Sequence, residues 1–266
     1  MLLSLALVTA VVAAARGVWS PCGLSMLSSL NPVSERARGH RFGLTAAWYV
    51  AGAVAGGAAL GGGLALAAFG VGRAGARDSL TWALVLGCAA IAVASDTRMF
   101  GRSLPVHPRQ VDERWLTTYR RWIYAGGYGV QIGAGFATYI MTAAVYLTAA
   151  LAVLTGSPAQ AFLVAVVFGA VRGLAIVGCA VANTPDRLRS LVARIDGWAT
   201  PSTWVATAVA AGVAGVAAAQ LGGAPAAGVT VAVLAAGVAI SRRWADGVVS
   251  CPVPAQAGTR ATSAAS

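Results

Sequence analysis

Three kinds of side chain in this chain could do chemistry. The first is a thiol beside a proline, Cys22 after Pro21 in Gly17-Val18-Trp19-Ser20-Pro21-Cys22-Gly23-Leu24. Proline lacks an amide N–H and clashes with the preceding turn, so it opens a helix. Freed N–H groups and the positive end of a helix are surroundings in which a thiol serves as a nucleophile. The bland alternative is a small buried cysteine beside a kink. Cys88 and Cys179 lie inside apolar runs, where they are candidate partner thiols or, on the plainer reading, structural cysteines; Cys251 sits in the tail, and there is no C-x-x-C. The second kind is arginine within apolar runs, at Arg16 and Arg172. Asp96, at the very end of one apolar run, is left out of the count and no other Asp or Glu lies within a span, so neither has an acidic partner in this reading. An uncompensated arginine in a membrane costs at least about 2.5 kcal/mol and usually faces a cavity or pathway. Arg16, Arg172 and a broken helix end could together hold an anion; snorkelling or bonding to freed carbonyls is the alternative. The third is a polar strip of Gln131, Thr138, Tyr139 and Thr142, which either lines a pathway or bonds between helices.

The elements that position these groups are apolar helices. Of 266 residues, 58% are hydrophobic and 10% charged, with a mean hydropathy of +0.74. Soluble domains carry roughly 25% charged residues, so this composition suits a chain solvated by lipid. The net charge is +11, all of its basic residues being arginine. The arginines lie between runs of spanning length, which favours a topological role over nucleic-acid binding. Runs near 20 residues mark spans at about 2–30, 44–69, 80–97, 125–154, 159–182, 203–221 and 225–241. Arginines split fifteen to two between alternate loops, with two inside spans. The positive-inside rule then puts the N-terminus outside and the C-terminus in the cytoplasm, and demands an odd number of crossings. Residues 1–15 have no preceding basic residue and run on past Arg16, so they read as part of a span rather than a cleaved signal.

The expected fold is therefore all-α, a polytopic membrane protein of about seven helices. A transmembrane domain covers 1–247, and 248–266 reads as a disordered cytoplasmic tail. Trp115, Tyr119 and Trp122 recur at helical spacing among arginines, which fits either an interfacial helix or an aromatic belt. Gly52-x-x-x-Gly56 and Gly169-x-x-x-Gly173 permit close helix packing. Short matches recur in order, such as Gly17-Val18 with Gly129-Val130 and Thr81-Trp82 with Thr203-Trp204. They predict a repeat of three spans, about 1–98 and 125–222, with an extra helix at 225–241. Three is odd, so the second copy is inverted, which places a site where the broken first and fourth helices meet.

An external N-terminus, about 20 apolar residues and Ser20-Pro21-Cys22 at a helix break resemble the CcdA/DsbD transmembrane family of cytochrome c biogenesis and thiol-disulfide transfer. The resemblance implies passage of reducing equivalents across the membrane, thioredoxin-like partners, and one cysteine in each repeat. It makes Cys22 the reactive thiol and Pro21 the residue that opens the helix. Ala134 stands where the second cysteine would be, so Cys88 or Cys179 would have to supply the partner. The alternative function is a transporter of a small solute, such as an anion, on the same scaffold without redox chemistry. Enzyme status stays open between these two readings. No cofactor or metal is expected: His40 and His107 lack ligand spacing, and Gly70-Val71-Gly72-Arg73-Ala74-Gly75 follows a membrane helix and reads as a loop rather than a dinucleotide motif.

Overall fold

A computed structural model describes residues 1–75, 77–99, 114–135, 140 and 142–248, with side chains to position 239. All regular elements among them are helical. In chain order they are α1 (Leu2–Arg16), α2 (Pro21–Ser29), α3 (Pro32–Ala37), α4 (Phe42–Ala74), α5 (Asp78–Asp96), α6 (Trp115–Thr118), α7 (Arg121–Gly133), α8 (Ala144–Leu154), α9 (Pro158–Leu174), α10 (Pro185–Gly197) and α11 (Ala199–Val248). Two 3-10 stretches, Gly17–Trp19 and Ala175–Val181, extend α1 and α9.

Among the described residues, five helical segments are long and apolar enough to cross a membrane: Leu2–Trp19, Phe42–Ala74, Asp78–Asp96, Pro158–Val181 and Ala199–Ala239. Large apolar side chains such as Leu66, Ile91 and Val229 point outward, the surface expected against lipid. Of the remaining segments, α7 and α8 have only 13 and 11 residues. The run expected at 125–154 is divided after Gly133, and Gly135 adopts φ +68°, a left-handed conformation that a helix interior does not accept. At 50 residues, α11 would measure about 75 Å, against roughly 30 Å of hydrocarbon. It is broken at Gly222 and Gly223, the latter at φ 76° and ψ −173°, a region open essentially to glycine. Val231 then packs against Gly215, so the two parts double back.

Four helices begin with proline as an early residue, at Pro21, Pro32, Pro158 and Pro185. Proline has no N–H to lose there and a φ already suited to a helix. Ser20, Asn31 and Thr184 cap three of them through side-chain oxygens. The break in the first long run thus falls at Ser20, in extended conformation (φ −69°, ψ 152°), and Pro21 starts the next helix instead of kinking the one before it.

In the packing, α4 runs along both α7 and α9, α5 along α11, and α1 against α8 and α9. The expected glycine contacts form at the backbone. Cβ atoms at Gly52 and Gly56 would collide with the carbonyls of Gly126 and Val130, and one at Gly169 with that of Ala53. The Gly70–Gly75 segment is a helix end rather than a loop, with Gly75 as a left-handed cap. Trp115 stacks on Tyr128 at 5.8 Å, inside the bundle. Tyr119 and Trp122 are the two exposed members of that aromatic series.

Candidate functional site

The first helix break is built around the Ser20 hydroxyl, which is fully buried. It donates to the carbonyl of Gly17 at 2.7 Å and accepts the N–H of Gly23 at 3.0 Å, so one side chain closes both sides of the gap. A Cβ at Gly23 would lie 2.6 Å from the carbonyls of Gly17 and Val18, too close to allow any larger residue. Cys22 is the second residue of α2 and 1% exposed. It packs in a cluster with Met26, Leu30, Tyr49, Tyr124, Tyr128 and Ile176.

Arg172 comes to this break from α9. It is 6% exposed, its guanidinium lies 5.6 Å from the Phe168 ring, and it is within electrostatic range of Tyr49 and Cys22. Gly17 makes room for it: a Cβ there would lie 2.8 Å from Nε and 2.9 Å from Nη2. Beside it is a cavity of 20 Å³ lined by Gly17, Gly23, Met26, Tyr49, Ile132 and Arg172 among others. That volume holds about one water. Cys179, in the 3-10 stretch after α9, is also buried, and Tyr49 lies within electrostatic range of Cys22, Cys179 and Arg172 together. Cys88 is placed elsewhere, against the larger core of α1, α5, α8 and α9.

Arg16 does not share the cavity, although it precedes Gly17. Its Nη2 donates to Thr203 Oγ1 at 2.9 Å, and its guanidinium lies 5.8 Å from the Trp19 ring. Nε and Nη1 are buried without a hydrogen-bond partner. The expectation that it lacks an acidic neighbour is corrected here. Asp96, the last residue of α5, is within its electrostatic range. An acid at the end of an apolar run looks like a loop boundary in sequence; the fold turns it inward. Asp96 accepts from Thr142 Oγ1 at 2.5 Å and from the N–H of Ala143 at 2.6 Å, bridging to the second helix break.

A further polar group went unread in the sequence. Glu35 is 0% exposed. It accepts from Arg38 at 2.8 Å, from Thr45 at 2.5 Å and from the Tyr124 hydroxyl at 3.2 Å. Tyr124 also shares a hydrogen bond with His40 Nδ1 at 3.2 Å, so this loop histidine has a partner. Gln131 is half-buried on α7, and its neighbour Ile132, not Gln131, lines the cavity. Thr138, Tyr139, His107, Cys251 and the tail from 249 lie outside the described residues. Among the described residues, no group of three or more His, Cys, Asp or Glu could hold a metal.

A helical bundle with several apolar segments of spanning length and polar groups gathered at helix breaks defines a multi-pass membrane protein. The chain is 30% identical over 200 residues to the methylamine utilization protein MauF of Paracoccus versutus, covering 71% of this chain and 70% of that one. It is 31% identical over 183 residues to MauF of Paracoccus denitrificans, covering 66% of this chain and 64% of that one. It is 30% identical over 206 residues to MauF of Methylophilus methylotrophus, covering 74% and 68%. The chain belongs to the MauF family. No family model matches it, and no solved structure does.

Proposed function

We propose that this chain is a membrane thiol carrier serving methylamine utilization, resembling CcdA/DsbD in principle but pairing Cys22 with Cys179. The observation that carries the reading is that Cys22 and Cys179, both buried, lie within electrostatic range of the same Tyr49, with Arg172 beside Cys22 and each cysteine beside a helix interruption. One cysteine then comes from each half of the chain. Ala134, in the position matching Cys22, is replaced in its role by Cys179. The scheme takes the chain to cross seven times, with the α7–α8 pair as the fourth crossing and the two parts of α11 as the sixth and seventh. It also takes these crossings as a three-plus-three inverted repeat, in which α9 serves the first break as α4 serves the second. The arginine distribution supports an external N-terminus.

In the reducing direction, the Cys22 thiolate attacks a disulfide of an external partner. The partner's S–S bond breaks, a mixed disulfide forms, and one partner sulfur leaves and takes a proton. Cys179, as thiolate, then attacks Cys22, forming the Cys22–Cys179 disulfide and releasing the second partner thiol. Two electrons and two protons pass to the partner, and a cytoplasmic dithiol of thioredoxin type restores the pair. Cys22 is 1% exposed, so each exchange requires opening at Ser20.

The test is mild oxidation of the full chain in vesicles, followed by non-reducing peptide mass spectrometry. The expected product is a Cys22–Cys179 peptide pair that survives Cys88→Ser. Failure to form that pair, or its replacement by Cys22–Cys88, would sink the reading. The rival is anion transport, favoured by the Arg172-lined cavity. Its volume admits only a water-sized ion in this conformation. Transport predicts that Cys22→Ser is tolerated and Arg172→Gln is not.

A further inference from the structure

The 13-residue helix α10 joins two segments of spanning length, Pro158–Val181 and Ala199–Ala239, so it must lie at the membrane surface that both reach. Its sequence is amphipathic at helical spacing: Leu188, Leu191, Val192 and Ile195 fall at i, i+3, i+4 and i+7. No residue of α10 is fully buried by the rest of the protein. Val192 is 38% exposed, and Trp198, just past the helix end, is 64% exposed. Leu188, Leu191 and Ile195 are half-buried against the bundle, so the stripe keeps an open edge at Val192 and Trp198, for which lipid is the available cover.

The charges are sorted about that stripe. Arg187 and Arg194 are seven residues apart and flank Leu191 at i−4 and i+3, which puts them along one edge of the apolar face. Asp186 and Asp196 lie on the other side with Arg189, and Arg189 pairs with Asp186 at 3.0 Å. Among the described residues, Arg187 and Arg194 have no ion pair. Two uncommitted guanidinium groups at headgroup level match phosphate oxygens.

We propose that α10 is an interfacial helix that binds anionic phospholipid headgroups through Arg187 and Arg194. The open edge of its apolar face enters the acyl boundary, and Arg189, Asp186 and Asp196 face water. The helix is also tied to the first break, because the Trp19 indole N–H donates to the Ile195 carbonyl at 2.6 Å. A change in the depth of α10 would therefore reach the backbone one residue before Ser20.

The proposal does not depend on thiol transfer, and neither does its test. Nitroxide labels are placed through Val192→Cys and, separately, Arg189→Cys in the full chain carrying Cys88→Ser and Cys251→Ser. Background labelling is measured in the same chain without the added cysteine. The protein is reconstituted into vesicles of phosphatidylcholine alone and into vesicles that also contain phosphatidylglycerol. The label at 192 should collide more with oxygen than with a water-soluble nickel complex, and the label at 189 should do the reverse. Phosphatidylglycerol should shift the 192 label deeper, and Arg187→Gln with Arg194→Gln should abolish that shift. A water-exposed label at 192 in both vesicles would overturn the interfacial placement. A phosphatidylglycerol shift that is absent from the parent chain, or that persists in the double variant, would overturn the headgroup site.

Discussion

The carboxylate of Asp96 accepts the backbone N–H of Ala143 at 2.6 Å, so the last residue of α5 caps the approach to α8. The same side chain takes the Thr142 hydroxyl and faces Arg16 electrostatically. One acid thus serves the second helix break and counters the charge beside the first. Asp96→Ala removes both roles. The cap accounts for about 1 kcal/mol, and losing the charge-assisted bond from the Thr142 hydroxyl adds roughly 1.5–3 kcal/mol. Asp96→Asn keeps an acceptor for Ala143 but loses the charge, so its loss should be smaller. Reversible unfolding in mixed micelles measures both, and an alanine variant as stable as the parent contradicts this role.

Gly17 and Arg172 should prove energetically coupled. Gly17→Ala places a methyl against the guanidinium and should cost about 1–3 kcal/mol by overpacking. In Arg172→Met the obstruction is a flexible, uncharged chain, and the same glycine change should cost less. A double-mutant cycle is expected to give a coupling of about 0.5–3 kcal/mol. Additive effects would mean that Gly17 answers to its own backbone alone.

Around Glu35, the severity of substitutions should follow what each leaves stranded. Tyr124→Phe deletes a hydroxyl whose partner keeps Thr45 and Arg38, a loss of about 1 kcal/mol. Glu35→Ala takes the acceptor from Thr45, leaves Arg38 only the Ser29 carbonyl and Tyr124 only His40, and should cost roughly 3–5 kcal/mol. Thermal unfolding in one detergent ranks them; a reversed order would show that the tyrosine, not the acid, organises the cluster.

Two glycines of similar appearance should respond in opposite directions. A Cβ at Gly133 would strike the Ala53 carbonyl, whereas one at Gly63 meets nothing within 4 Å. Gly63→Ala in mid-helix should stabilise by up to about 1 kcal/mol. Gly133→Ala should destabilise by at least as much as a core overpacking, about 1–3 kcal/mol. The paired melting curves check this, and equal shifts would refute the close approach of α4 and α7.

Long uninterrupted apolar runs were readable in the sequence. The segments expected at 44–69 and 80–97 became α4 and α5 within a few residues, apart from a longer end at Ala74. Cys22, Pro21 and Arg172 were found because each is chemically out of place in an apolar run. What the sequence concealed were pairings that depend on tertiary position. Asp96 and Glu35 sit at helix ends, where an acid in a linear reading belongs to a loop, and only the fold turns them inward. The two in-span arginines looked like one site because both are costly in lipid. A single backbone step separates Arg16 from Gly17, yet it sends its guanidinium toward Thr203 while Arg172 takes the cavity. Pro21 marked the break one residue late, since the extended residue is the one before it.

The glycine contacts among α4, α7 and α9 have a mechanical consequence. Where backbone meets backbone, no side chain can change rotamer to absorb a displacement, so these three helices lose their freedom to slide or roll independently. The degrees of freedom that remain lie where hydrogen bonds are carried by side chains instead: the Ser20 hydroxyl at one break and the Asp96 carboxylate at the other. Any motion that uncovers Cys22 is thereby channelled through two polar pivots on a stiff three-helix frame.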